Sequence, residues 1–261
     1  MSGTEVSGLE VVRHARARRM RLSVDPASGR VRLTIPPRAS LKQAMAWAGE
    51  HRGWIDAQRA RLPQGRPFAP GAVIPVEGED VTIDWSPERS RTIRLTGSPS
   101  PFRGYAAPSL SRWEREGARE PEASGKGEGD LRLICGGPIE GLSRRIESWL
   151  KRRALAVLTE ETAEFAALAG VTVSGVAVAD PKGRWGSCAS TGAIRYSWRL
   201  ICAPPYVRRA TVAHEVAHRL EMNHSPAFHA AHRRLYGSDP APARAWLRRH
   251  GAELHWVGRC S

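Results

Sequence analysis

The sequence predicts an α+β fold, and three observations support this class. The chain has 261 residues, of which 41% are hydrophobic and 25% charged, the ordinary balance of a globular protein that buries a core. Short segments in which apolar and polar residues alternate indicate β-strands, and clusters of turn-forming residues separate them. Longer segments with apolar residues at every third or fourth position indicate amphipathic helices. We therefore expect small sheets and separate helices, arranged in two regions joined by an insert.

The predicted N-terminal region spans residues 1–96 and opens with a basic hairpin. Residues 11–35 contain two short alternating segments around the turn 25–29, in which apolar residues are interleaved with arginine. Ser40 is expected to cap an amphipathic helix that continues to about Leu62, whose apolar positions recur at helical spacing: Leu41, Ala44, Ala48 and Ile55. Two or three further strands are predicted between Val73 and Leu95.

The remaining chain divides into an insert and a second region. Residues 97–130 are rich in Ser, Pro, Gly, Glu and Arg, which predicts a low-complexity insert or linker. The catalytic region is predicted at 131–261. Its elements in order are a helix over 139–168, with Leu142, Ile146, Leu150, Leu155 and Leu158 on its apolar side, closed by Gly170; a strand over 171–178; a strand pair that turns at 190–192; and two helices in a histidine-rich segment.

Charge is unevenly distributed along the chain. The formal net charge is +14, and the first 66 residues contain 13 basic and five acidic residues. Such an excess is typical of proteins that bind nucleic acid or phosphorylated compounds. Only four of the 40 basic residues are lysine, however, so the arginine excess can equally reflect the base composition of the gene.

The sequence favours a cytoplasmic protein without a membrane span. The first twenty residues lack the apolar core of a secretory signal, and no run of about 18 apolar residues occurs. Four scattered cysteines without a CxxC pair indicate neither a disulfide framework nor a thiolate metal site: Cys135, Cys188, Cys202 and Cys260. We expect Cys188 to be unreactive and Cys202 to lie in the core.

The strongest chemical signal is an HExxH pattern from His214 to His218. Residues four apart share one helix face, so both imidazoles can bind one zinc ion, and Glu215 is then close enough to activate water. Two histidines on a solvated helix face are the simpler alternative, but Pro205 and the helix-forming residues up to Met222 support an ordered helix.

His224 is the predicted third ligand. A continuous helix would turn it about 120° away from the ligand face, because each residue turns about 100°. Asn223 can adopt a left-handed conformation, Ser225 can cap a new helix and Pro226 suits its first position, so the chain is expected to break and fold back. The rivals are Glu221, His229 and His232, of which the last two are expected to line the site or face solvent.

Three ordered motifs resemble the YgjP-like family of zinc metallopeptidases, which is related to the SprT and WLM domains. They are the RWGSC segment 184–188 with the strand 194–200, the HExxH helix, and the NHS turn 223–225. The basic hairpin and the segment around Trp54 are similar to the family as well. The resemblance covers most of the chain apart from the insert, and Ser197 differs from the asparagine that the family often has.

The resemblance implies a zincin-like catalytic domain in which the HExxH helix packs on a small antiparallel sheet. It implies one Zn²⁺ ion held by His214, His218 and His224, with Glu215 as catalytic acid and base. The expected function is hydrolysis of a protein or peptide substrate, which could pair in extended form with a strand such as 194–200.

Two other functions remain open from the sequence. A phosphohydrolase could use the same metal site on nucleotides, and the basic hairpin could bind nucleic acid. In the RWGSC segment, Gly186 suits a tight turn and Trp185 a structural role, while Arg184 could hold either an anion or a structural carboxylate.

Overall fold

The computed structural model describes residues 8–97 and 131–259 and confirms the α+β class. These residues form ten strands, six α-helices and two short 3₁₀-helices, and the strands lie in three small sheets. They divide into two compact units, one that ends at Gly65 and one that begins at Arg66. The predicted insert at 97–130 lies outside the described residues, except for Gly97. Within the described ranges, no helix is long and apolar enough to cross a membrane.

The first unit contains one three-stranded sheet and two helices. Its elements are β1 (Leu9–Arg13), β2 (Arg21–Val24), β3 (Val31–Ile35), α1 (Leu41–Glu50) and α2 (Arg52–Arg59). The predicted hairpin is confirmed, because β2 and β3 pair in antiparallel fashion. The first strand was not predicted as a partner, yet β1 pairs in parallel with β3, which therefore lies in the centre.

The predicted helix from Ser40 to Leu62 is two helices. The Oγ atom of Ser40 accepts a hydrogen bond from the amide of Gln43, as expected of an N-cap. The helical path is interrupted at His51, whose backbone is not helical. The buried residues of both helices are those that the spacing indicated, namely Ala44, Ala48 and Ile55, whereas Leu41 is exposed.

The second unit contains the other two sheets and four helices. Its elements are β4 (Val73–Val76), β5 (Glu79–Ser86), β6 (Arg94–Thr96), β7 (Arg132–Gly136), α3 (Leu142–Ala169), β8 (Gly175–Ala179), β9 (Gly186–Cys188), β10 (Ala193–Ser197), α4 (Pro205–Ala217), α5 (Pro226–Tyr236) and α6 (Ala241–Trp256). The last helix, α6, was not predicted.

The larger sheet of this unit has the order β4-β5-β7-β6. Its central pair, β5 and β7, is parallel and joins residues on either side of the insert. The division of the chain therefore falls at residue 65 instead of at the predicted position after residue 96, because β4, β5 and β6 are hydrogen-bonded into the same sheet as β7.

The smaller sheet, β8-β10-β9, lies next to the HExxH helix. It is mixed, because β8 and β10 are parallel while β9 and β10 are antiparallel, so the expectation of an antiparallel sheet is wrong. Strand β9 lies between β8 and β10 in the sequence and runs in the opposite direction to both. The neighbouring strands β8 and β10 can therefore point the same way. Helix α4 packs against β9 and against α3, α5 and α6.

Helix α3 supplies much of the core around α4. It buries Leu142, Ile146, Leu150 and Leu158 as predicted, whereas Leu155 is exposed. Gly170 closes the helix in the left-handed conformation, with φ of 66°.

A buried ion pair fixes α3 against α4. The Nη2 atom of Arg208 on α4 lies 2.9 Å from Oε1 of Glu161 on α3. The Nε atom of Arg208 also donates to both carboxylate oxygens, so the pair is held by several charge-assisted hydrogen bonds. This contact sets the position of the helix that carries the HExxH pattern.

Candidate metal centre

The HExxH pattern lies at the C-terminal end of α4. Pro205 is the first residue of this helix, a position where the missing N–H of proline has no consequence. His214 and Glu215 lie in the last turn, and His218 directly follows the helix. The rings of the two histidines meet edge to face with their centroids 4.9 Å apart, as residues one helical turn apart should.

The chain leaves the helical path directly after His218. Helix α4 ends at Ala217, five residues before the predicted end at Met222. The carbonyl oxygen of Ala217 accepts hydrogen bonds from the amides of both Leu220 and Glu221, each at 3.0 Å. The first of these is the tighter three-residue pattern in which helices commonly end.

The next helix begins where the sequence predicts. Ser225 is the N-cap of α5, and its Oγ atom accepts a hydrogen bond from the amide of Phe228 at 3.2 Å. Pro226 is the first helical residue. Asn223 does not use the left-handed conformation that it can adopt, since Glu77 is the one described residue other than glycine with positive φ. His224 therefore lies in an irregular turn between two helices.

This turn brings the three predicted ligands together. One ligand atom from each of His214, His218 and His224 lies within 4.8 Å of the other two. The Nε2 atoms of His214 and His224 are 3.2 Å apart. The Nδ1 atom of His218 lies 3.2 Å from the carbonyl oxygen of Glu221, which can only accept, so Nδ1 carries the proton and Nε2 is left to bind a metal.

Phe228 packs beneath all three rings. Its centroid lies 4.9 Å from that of His214, 4.5 Å from that of His218 and 4.7 Å from that of His224. The side chain is fully buried. One aromatic residue from α5 thus supports a cluster whose members come from α4 and the turn.

The rival ligands have other positions. His232 is buried, and its Nε2 atom donates to the carbonyl oxygen of Ala210, while its ring meets His214 edge to face at 5.1 Å. It therefore supports a candidate ligand instead of joining the cluster. His229 is exposed, and its ring centroid is 6.4 Å from that of His224. The side chain of Glu221 is exposed, and the backbone carbonyl oxygen of this residue accepts the hydrogen bond from Nδ1 of His218.

Glu215 is placed by a contact that the sequence did not reveal. Its side chain lies against the backbone of Gly186, the first residue of β9, and the residue is 5% exposed. A Cβ atom at Gly186 would lie 2.6 Å from Cγ of Glu215 and nearer still to its Oε1. The glycine of the RWGSC segment is therefore in a strand and not in a tight turn, and its missing side chain makes room for the carboxylate.

Burial shifts the protonation of the site. It raises the pKa of Glu215 to about 7, against the opposing charge of Arg184. It lowers the pKa of His214 to about 3, an effect to which neighbouring histidines contribute, and it also lowers the pKa of His218. Neutral imidazole is the form that binds metal ions, and a carboxyl group that titrates near neutrality suits proton transfer.

A cleft of about 260 Å³ opens beside the cluster. His214, Glu215 and His232 line it, together with Trp185, Leu247 and two exposed arginines, Arg184 and Arg244. Arg184 forms no ion pair with any described residue, which removes the structural carboxylate considered for it within those ranges. Arg184 was considered from the sequence, for an anion or a structural carboxylate. Arg244 was not found, because it lies on α6, which contributes one cleft wall and was not predicted.

The other residues of the RWGSC region have structural surroundings. Trp185 stacks on His255 of α6, with centroids 5.1 Å apart, as its expected structural role requires. Burial raises the pKa of the Cys188 thiol, in agreement with the expected lack of reactivity. Cys202 is buried as predicted, which raises its pKa to about 12. Ser197 is buried and its Oγ accepts from the amide of Arg199, capping the 3₁₀-helix Trp198–Cys202.

Comparison with known proteins identifies the family. The sequence model of the YgjP-like metallopeptidase domain matches residues 18–120 and 126–250. Searches among curated proteins and among solved structures give no match. The matched residues include the whole candidate metal centre and cover most of both units. The chain therefore belongs to the YgjP-like metallopeptidase family, whose name implies a metal-dependent hydrolase.

Proposed function

We propose that this chain is a zinc-dependent metallopeptidase in which His214, His218 and His224 bind the metal and Glu215 is the general base. The observation that carries the proposal is the cluster itself. Three imidazoles offer ligand atoms within 4.8 Å of one another, and a buried carboxylate follows the first of them in sequence. Three protein ligands with one open position are typical of catalytic zinc sites.

The residues fit a zinc ion. Two nitrogens that bind one tetrahedral zinc ion at about 2.0–2.1 Å lie about 3.3–3.4 Å apart. The separation of 3.2 Å between Nε2 of His214 and Nε2 of His224 is close to this value. The hydrogen bond from His218 to a backbone carbonyl supports the same interpretation, because it orients the ring as in other histidine ligands.

The chemistry follows from these positions. A bound zinc ion supplies Lewis acidity, which lowers the pKa of water and polarises a carbonyl group. Glu215 accepts a proton from the attacking water and passes it to the leaving amine. The contact of Glu215 with Gly186 holds the carboxylate at one place during both transfers.

An extended substrate fits β9 better than the strand 194–200. In the order β8-β10-β9, both sides of β10 are already paired, and residues 198–202 form a 3₁₀-helix. The short strand β9 lies at the edge of the sheet and contains Gly186, next to Glu215. We therefore place the backbone of the peptide along the outer edge of β9.

Substitution of the general base tests the mechanism. Glu215→Gln keeps the size of the side chain but cannot accept the proton, so turnover of a denatured protein such as casein should fall about 10²–10⁴-fold. Bound zinc, measured by elemental analysis, should stay near one ion per chain. Full activity in this variant would remove Glu215 from the mechanism.

Metal analysis tests the third ligand. His224→Ala should lower the affinity for zinc and abolish turnover, because only two of the three imidazole ligands remain. His229→Ala is the matched control, since this exposed histidine lies five residues further along the chain and outside the cluster. Full zinc occupancy in His224→Ala would refute the assignment.

The substrate class is tested by a direct choice. Purified, zinc-loaded protein is offered casein in one assay and nucleoside triphosphates in another. We expect peptide cleavage without phosphate release. Phosphate release without peptide cleavage would establish the phosphohydrolase alternative.

The first unit has a surface suited to nucleic acid. Arg16, Arg18, Arg19 and Arg21 are exposed and form no ion pair with any residue in the described ranges. We propose that they bind phosphates in addition to the peptidase activity of the second unit. Binding of a labelled DNA duplex should weaken steeply as salt rises and disappear when all four become alanine. Binding that is unaffected by these substitutions would contradict this role.

A further inference from the structure

The cleft beside the candidate metal centre combines apolar walls with positive charge. Trp185, Ala243 and Leu247 contribute apolar surface, while Arg184 and Arg244 also line the cleft. Arg184 directly precedes the Trp185–Gly186 segment, and Arg244 lies in the first turn of α6. Both arginines are exposed.

Both arginines lie close to residues of the candidate site. The charge of Arg184 acts on Glu215, and that of Arg244 acts on His214 and His232. Both therefore line the same cleft as the candidate general base and first ligand. A group that enters this cleft meets two positive charges.

Neither arginine has a carboxylate partner among the described residues. Asp239 lies near Arg244, in an adjoining hollow, but its Oδ1 atom accepts a hydrogen bond from the amide of Ala241 and it forms no ion pair with the arginine. Glu215 forms no ion pair with Arg184 either, although the charge of Arg184 acts on it.

The arginines that have structural roles in the second unit differ in this respect. Arg199 and Arg208 are buried and Arg209 is partly buried, and each is paired with a carboxylate: Asp180, Glu161 and Glu164. Unpaired arginines are common on protein surfaces. What distinguishes Arg184 and Arg244 is that both line one cleft at the candidate site.

We infer that Arg184 and Arg244 form a carboxylate-binding subsite that selects the substrate. This inference rests on the proposed peptidase function. Guanidinium groups bind carboxylates through paired, charge-assisted hydrogen bonds, and the apolar walls suit the methylene groups of an acidic side chain. The carboxylate belongs either to an Asp or Glu side chain near the cleaved bond or to the C-terminus of the peptide.

A binding measurement separates the two sources without requiring turnover. Zinc-loaded, full-length Glu215→Gln protein is titrated with three fluorescent peptides of equal length. One has an internal Glu and an amidated C-terminus, the second an internal Gln and a free C-terminus, and the third an internal Gln and an amidated C-terminus. We expect one of the first two to bind about tenfold more tightly than the third.

Substitution of the arginines tests their part in this preference. Arg184→Ala and Arg244→Ala, each in the Glu215→Gln background, should reduce the preference to about twofold or less. Arg249→Ala is the matched control, because Arg249 is an exposed residue on the same helix about 140° away from Arg244. Circular dichroism and zinc content establish that each variant is folded. Arg244→Glu should reverse the preference in favour of a peptide with Lys in place of Glu.

The outcomes distinguish this inference from the proposed function. Equal binding of the three peptides, or a preference that both alanine variants retain, overturns the subsite. Tighter binding of a nucleoside triphosphate, lost in the same variants, overturns it in favour of a phosphate site. A preserved carboxylate preference in a wild-type protein that cleaves no peptide leaves the subsite standing and overturns the peptidase. If the wild-type protein cleaves peptides but shows no carboxylate preference, the subsite is overturned and the peptidase function stands.

Discussion

The candidate metal centre has a buried side and an exposed side, which are held in place by different means. On the buried side, Glu215 lies against Gly186 and the ring of His214 meets that of His232, and both Glu215 and His232 are buried. On the exposed side, His224 lies in the turn between α4 and α5, next to the cap residue Ser225.

The difference shows two ways to hold a side chain at a site. The buried side is fixed by close packing, which leaves no room for a Cβ atom between Gly186 and Glu215. The exposed side is fixed by local hydrogen bonds, each of which contributes about 1 kcal/mol. We therefore expect substitutions of the residues that support the site to have large effects on the buried side and small effects in the turn, the ligand His224 itself excepted.

Among the residues that support the site, the largest effect is expected from Gly186→Ala. The added methyl group would overlap the side chain of Glu215 and displace it, and a displacement of about 1 Å is enough to lower turnover about 10²-fold. The measurement is kcat on casein together with zinc content, which should stay unchanged. Gly183→Ala is the control, because a Cβ atom there meets nothing within 4 Å. Equal activity of both variants would contradict the packing argument.

Phe228→Ala removes the aromatic ring that contacts histidines on both the buried and the exposed side of the candidate metal centre. Because Phe228 is fully buried and contacts all three histidines, we expect the free energy of unfolding to fall by about 3–5 kcal/mol. Phe228→Leu keeps most of the apolar volume and should lose less than about 1.5 kcal/mol. Urea denaturation measures both. If the two variants are equally stable, the ring is not a support of the cluster.

Asp180→Asn tests the support of the wall formed by α6. Asp180 accepts hydrogen bonds from Arg199, which also donates to the carbonyl oxygens of Leu254 and Val257 near the end of α6. The side chain of Arg199 is 6% exposed, so loss of its carboxylate should lower the free energy of unfolding by about 1–3 kcal/mol at pH 7.

This effect should depend on pH. Burial alone raises the pKa of Asp180, but hydrogen bonds and charge from Arg199 outweigh it and hold the pKa below its usual range. A lowered pKa gives stability that is present above the unfolded value of about 3.9 and is lost as pH falls through the folded value. The difference between wild type and variant should thus shrink below about pH 4. Asp80→Asn, at an exposed pair with Arg66, should change stability by less than about 0.5 kcal/mol.

The smallest effect is expected on the exposed side. Ser225→Ala removes the N-cap of α5 and should lower the free energy of unfolding by about 1 kcal/mol. Because His224 is the preceding residue, zinc should also dissociate a few times faster. Ser40→Ala removes a similar cap in the first unit and serves as the control, with a comparable loss of stability and no change in zinc affinity. If zinc dissociates at the same rate from both variants, the N-cap of α5 does not help to hold His224 at the site.

Local features of the site could be predicted from the sequence. The spacing of His214 and His218, and the cap formed by Ser225, depend on residues within a few positions of one another. The contact between Glu215 and Gly186 could not be predicted, because it joins residues almost 30 positions apart and depends on how β9 packs against α4.

The same distinction explains the errors in the fold. Alternating apolar residues located most strands, but pairing depends on distant partners. The parallel pairs β1–β3, β5–β7 and β8–β10 were therefore missed, and so was the place where the chain divides. The break at His51 was missed for another reason, since apolar spacing continues across it.

The three candidate ligands lie within one segment of the chain, between His214 and His224. A metal ion held by them closes a very short loop, so it removes little conformational entropy from the unfolded chain. Its influence on folding is therefore local: amide hydrogen exchange should slow in the turn and at the start of α5 when metal binds. The first unit, which has buried clusters of its own, should exchange at the same rate with or without it.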